Sequence, residues 1–214
     1  MENLPVVAEP KEPDVSSYFS SMERFEMGQR MCKMLASSSL VPTTYQGNVA
    51  NTFIALELAN RTASSPFFVM QNLHVIHGRP SWSAQFIIAT LNTCGRFSPL
   101  RFEMSGEGDA RQCIAWAIEL ASNVRLESPP VSLVMAEAEG WSTKAGSKWK
   151  SMPELMLRYR AASFFGRLYA PDILMGMRSS EELFDYGDKF AEAEQGPGGA
   201  TAVDELLSGE AVEL

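Results

Sequence analysis

The run from Trp141 to Met177, WSTKAGSKWKSMPELMLRYRAASFFGRLYAPDILMGM, constrains this chain more than any other stretch. It opens as a polar loop in which Lys144, Lys148 and Lys150 interleave with Trp141 and Trp149. Pro153 suits the first turn of a helix, where a missing N–H costs little. The residue before Pro171 resists the α conformation, so the spacing predicts a helix from Pro153 to about Tyr169. At 100° per residue no wide polar face remains: Leu157, Phe164 and Leu168 form one stripe, and Met156 and Phe165 flank it. A helix apolar nearly all round is a buried helix. This one nevertheless carries Arg158, Arg160 and Arg167, spaced by Ala161, Ala162, Ser163 and Gly166.

A buried guanidinium requires an anion beside it. The anion is either a carboxylate of the same fold, such as Glu57, Glu137 or Asp172, or a phosphate backbone, which an arginine fork grips with two hydrogen bonds. Residue chemistry alone divides evenly between the two. The lysine-and-tryptophan loop just upstream favours nucleic acid, because single strands are held by cations and stacking platforms.

Charge is distributed unevenly. The 214 residues carry a net charge of −8, yet residues 20–180 hold sixteen basic and twelve acidic side chains, and the acidity lies in 1–19 and 181–214. The length suits one domain. The expected layout is a disordered acidic segment over 1–19, a single α+β body over 20–186, and an acidic flexible tail over 187–214 that includes the linker AEAEQGPGGAT. No apolar run approaches the ~20 residues of a membrane span. MENLPVVAEPKEPD lacks the basic and apolar regions of a signal peptide, so a cytoplasmic protein is expected. Cys32, Cys94 and Cys113, without a CxxC pair, read as reduced small hydrophobes.

In chain order, the periodicity predicts a helix over 20–35, mildly interrupted at Gly28, and a second helix from an Asn48 cap to Arg61. Residues 67–76 read as extended, with HGRP as a turn and Ser81 capping a helix closed by Gly95. Segments 100–104, 112–120 and 124–127 form an antiparallel meander. A helix over 131–139, the long helix, and a last helical turn in SSEELFDYG complete the body. The fold class is α+β: a small three-stranded antiparallel sheet packed with several helices, one long helix lying in the C-terminal half.

Catalytic patterns are absent. GSKWKS resembles the end of a phosphate loop without its GxxxxGK[ST] spacing. His74 and His77 point to opposite faces of an extended segment. GxSxG, HExxH and a Cys–His context are missing. The acidic pairs Glu137/Glu139 and Glu181/Glu182 read as solvated faces. The chain is therefore read as a non-enzyme without a cofactor, Mg2+ entering at most as a counterion of DNA.

The run W-x3-P-x2-M-L-R-x4-S-x3-R-L-x-x-P-x-x-L-x-G, here Trp149, Pro153, Met156, Leu157, Arg158, Ser163, Arg167, Leu168, Pro171, Leu174 and Gly176, resembles the RecT family of phage recombinases. HGRPSWSAQFI, following the NVANTFIALELANR helix, is similar to it as well, and the likeness spans roughly residues 35–180. The resemblance implies an ATP-independent protein that binds and anneals single-stranded DNA, assembles into rings or helical filaments, and works beside an exonuclease. It also implies a basic groove between a small antiparallel sheet and a long helix, with single strands and annealed duplex as ligands. Arg158 and Arg167 occupy motif positions. Arg160 and Lys144, Lys148 and Lys150 join the DNA-binding candidates on charge alone, as do Arg79, Arg96 and Arg101 near the sheet. Trp149 either stacks on a base or packs against the helix start. Protomer contacts are expected from the first helix and Met175–Met177. Docking of the exonuclease or of a host single-strand-binding protein is left open by the short C-terminal region, and the acidic tail is expected to mimic DNA. Two other readings stand beside this one: a phage protein that binds a host protein, and a metal-dependent nuclease or hydrolase using Glu137, Glu139 or Asp172.

Overall fold

A computed structural model describes residues 17–76 and 78–187. His77, the tail over 188–214 and nearly all of the expected N-terminal segment lie outside the described residues. The chain divides into two compact units, 1–71 and 72–214. Among the described residues no helix is long and apolar enough to cross a membrane.

The first unit is built on two helices, α1 (Met22–Ala36) and α2 (Val49–Arg61). Ser21 and Asn48 cap them, each accepting a backbone N–H from three residues on. Cys32, Phe53 and Leu56 form the core between the helices, with Tyr18, Phe25, Met31 and Val49 around it. Gly28 makes the approach possible: a Cβ there would sit 2.9 Å from the Phe53 ring. Buried Glu57 accepts from the Tyr18 N–H at 3.0 Å and from Arg61 Nε at 3.1 Å. Burial alone would raise its pKa, but these bonds and one from Ser17 hold the carboxyl below its usual range. The extended reading of 67–76 is corrected in its first half, since α3 (Pro66–Asn72) is helical. Ser65 Oγ caps it through the Phe68 N–H, and Pro66 occupies the first turn, where a proline fits.

The second unit is α+β. Strands β1 (Leu73–Ile76) and β2 (Arg79–Trp82) pair antiparallel, with Ile76 opposite Arg79. Because β2 runs through Ser81, the cap of α4 (Ala84–Thr93) is Ser83, whose Oγ accepts from Phe86 N at 3.0 Å. The main sheet has four strands rather than three. β3 (Arg101–Ser105), β4 (Gln112–Glu119) and β5 (Val124–Glu127) form the expected meander, and short β6 (Val131–Ser132) also pairs with β4. The expected helix over 131–139 is thereby shortened to α5 (Leu133–Ala138), capped by Ser132.

The long helix α6 (Pro153–Tyr169) begins and ends where the two prolines place it, and α7 (Ser180–Tyr186) follows with a Ser179–Glu182 capping box. Small residues decide how α6 sits. Cys113, Ala115 and Ala117 form the buried face of β4, and Ala161, Ala162, Ser163 and Gly166 are buried on α6. The Gly166 position meets Leu91 and Ile87 of α4, together with Leu174. The buried stripe is therefore Leu157, Ala161 and Phe165, while Leu168, expected in the stripe with Leu157 and Phe164, is exposed. Leu157 and Phe165 each contribute about 1.5–3 kcal/mol by burial. Cys32 and Cys113 are buried free thiols, both pushed up to about 11 by burial.

Candidate nucleic-acid interface

The arginines of α6 divide into two kinds. Arg160 is sealed, its side chain 1% exposed, with Nη2 bonded to Asp185 of α7. Its guanidinium lies 3.8 Å over the Trp141 ring, and Trp149 Nε1 donates to the same Asp185 oxygen at 2.8 Å. Burial pushes the Asp185 carboxyl up, against the pull of the Trp149 indole and of Arg160. Arg167 lies 3.3 Å from Glu182, which is fully buried on α7. Both partners come from α7, so the anions that meet these guanidiniums are Asp185 and Glu182, not Glu57, Glu137 or Asp172. Glu182, expected on a solvated face from its pairing with Glu181, is buried instead. Glu181, Glu182 and Asp185 lie on α7 within the folded body, so residues 20–186 hold sixteen basic and fifteen acidic side chains, and the basic excess of residues 20–180 is nearly cancelled.

Arg158 differs. It is partly exposed and reaches back along α6 to the Glu154 carbonyl at 3.3 Å and to its carboxylate at 3.5 Å. Arg111, 2.7 Å from that carboxylate, is its main partner and pulls the Glu154 carboxyl below its usual range. Exposed pairs of this kind hold a guanidinium weakly. Arg158 lines a groove of about 530 Å³ with Leu100, Arg101, Phe102, Glu103 and Trp116. Arg101 is exposed, and no carboxylate pairs with it among the described residues. The groove thus joins one arginine of the long helix to one of β3, with an indole as part of its wall.

The sheet explains that wall. Alternation along β4 turns Cys113, Ala115 and Ala117 into the core and leaves Ile114, Trp116 and Ile118 half-buried on the opposite face. Trp116 stands opposite Arg101 on β3 and Glu127 on β5. Arg125 lies 4.1 Å over its ring, held by Glu103 at 2.9 Å and by Glu127 at 2.6 Å. Sequence reasoning missed Trp116, Arg125 and Arg111. The signal for Trp116 was the run C-I-A-W-A-I, in which small and large residues alternate, the small ones suiting a covered face.

The remaining candidates are scattered. Lys144 Nζ donates to the Phe184 carbonyl at 3.1 Å. Lys150 is exposed, and Lys148 lines a separate, mostly apolar hollow of about 400 Å³ with His74, Ile76, Met156, Glu181 and Phe184. Trp149 is buried against Trp141 at 5.3 Å, which is the packing role, with no ring face open to a base. Arg96 makes a two-pronged pair with Asp172, one prong at 3.0 Å, which pulls the Asp172 carboxyl down. Arg79 begins β2 and is half-buried. The groove therefore gathers Arg101 and Arg158, and not the other candidates. Among the described residues no three His, Cys, Asp or Glu side chains are placed to hold a metal ion.

No family model, curated protein or solved structure matches the chain.

Proposed function

We propose that the chain is a RecT-like protein that binds single-stranded DNA and anneals complementary strands without ATP. The observation that carries the reading is the groove beside β3 and α6, where Arg101 and Arg158 stand free of buried carboxylates next to a half-buried indole. Arg158 also occupies a position of the motif that resembles the RecT family. Guanidiniums at a groove wall suit phosphates, which carry no sequence information, and an annealing protein must take any sequence. The reaction breaks no covalent bond, so it needs no nucleophile or general base. In this reading the protein works as a homo-oligomer in the cytoplasm of the host cell, beside an exonuclease that exposes single strands.

Two complementary oligonucleotides mixed with the protein test this directly. Duplex forms faster than without protein and needs no nucleotide, and the R101Q/R158Q double variant loses most of the acceleration. Absence of any strand binding at low salt supports instead a protein that docks on a host protein. Shortened products in the presence of a divalent metal support a nuclease.

A further inference from the structure

We infer that Trp116 is a stacking platform for unpaired bases, and that it makes the groove selective for single strands over duplex. The inference rests on the DNA-binding reading and adds the form of nucleic acid that the site takes and the side chain that selects it.

Three observations carry it. Trp82, Trp141 and Trp149 are 0%, 2% and 3% exposed, whereas Trp116 is half-buried on the sheet face turned away from the Cys113, Ala115 and Ala117 side. The indole is also held in place. Arg125 caps the ring at 4.1 Å, and Glu103 and Glu127, on the two strands flanking β4, anchor Arg125 from either side. This fixes the ring before any ligand arrives, and the guanidinium is a positioning group, not a ligand. Finally, Trp116 shares its groove with Arg101, directly across the ladder, and with Arg158 from α6. Glu103 lies in the same groove and shares Arg125 with Glu127, so that trio carries one negative charge against the two positive charges of Arg101 and Arg158. An aromatic surface flanked by phosphate-binding cations is the arrangement that holds single strands. Bases in a duplex are stacked on one another, and their faces are closed to such a ring.

The buried state of the other three tryptophans makes the test selective. Titrating a thymidine oligonucleotide into the protein quenches the accessible emission in step with the anisotropy of a labelled strand. Trp116→Leu abolishes that quench and weakens oligonucleotide binding about tenfold, while duplex binding is unchanged. Trp116→Phe keeps a ring and recovers part of the affinity. A measurement on the unaltered protein avoids any folding defect in the variants: a strand of the same length with abasic sites binds about tenfold more weakly than its base-bearing counterpart. Equal affinity of the unaltered protein for the two strands overturns the platform, as does wild-type affinity in Trp116→Leu. If annealing persists in either case, the DNA-binding reading survives alone. Failure to bind any strand at low salt overturns both.

Discussion

Arg160 and Glu57 show how a single charged side chain is accommodated inside this chain. Taking a guanidinium out of water costs several kcal/mol, and Arg160 offsets that through Asp185 and the Trp141 ring. Removing one partner strands the other. Asp185→Ala is expected to destabilise the protein by about 3–5 kcal/mol, read from the urea midpoint at unchanged m-value. The double change R160M/D185L is expected to do less damage than Asp185→Ala alone, because no buried charge is left uncompensated. Glu57 gives the pH dependence. Its carboxyl is held below the usual range in the folded state, so its contribution is present above the unfolded value of about 4.3 and is lost as pH falls through the lower folded value. Glu57→Gln should therefore be less stable than wild type at pH 7, by about 1–3 kcal/mol. The gap should narrow steadily once the pH is taken below about 4. A gap that stays constant down to pH 2 would contradict the linkage.

At the scale of elements, the β3–β4 connection matters most, because it sets Arg101 against Trp116. Gly106 has φ +72°, and a Cβ there would lie 2.1 Å from the Ala110 carbonyl oxygen. That oxygen is backbone and cannot swing aside. Gly106→Ala is expected to destabilise by about 2–3 kcal/mol and to lower single-strand affinity with it. Gly146, with φ +75° and open space around it, is the control: alanine there costs about 1 kcal/mol and leaves binding alone. Most elements were legible because their caps and prolines are local. The exceptions have a common cause. Phe67 and Phe68 suggested a strand, but Ser65 and Pro66 just before them form a helix start. Ser81 and Ser83 both suit a cap, and the hairpin pairing of β2 chooses the second.

For the molecule as a whole, electrostatics decides how DNA is met under the proposed function. Each side chain on a phosphate adds about 0.7 to the slope of log affinity against log salt for single strands. The R101Q/R158Q double variant should then flatten the slope by about 1.4, measured by anisotropy over a salt series. The chain as a whole is acidic, and residues 188–214 carry seven acids and one lysine. A protein lacking them has a net charge of −2 instead of −8 and is expected to bind single strands more tightly at low salt. Unchanged affinity would remove the idea that the tail competes with DNA. Of the candidate cations, Arg101 and Arg158 were visible in the sequence, but so were Arg160 and Arg167, and nothing local tells them apart.

The sequence by itself determined the elements: the caps at Ser21, Asn48 and Ser179, the two prolines bounding α6, and the strand alternation all act within a few residues. It also determined that guanidiniums would enter a largely apolar helix. Tertiary structure alone decided what meets them. α7 folds back to bring Asp185 and Glu182 onto Arg160 and Arg167, while Arg158 stays at the groove with Arg101 and Trp116. The reason is that ion pairing and burial depend on separation in space, which a chain sets by how its elements pack, whereas capping and periodicity depend on separation along the chain.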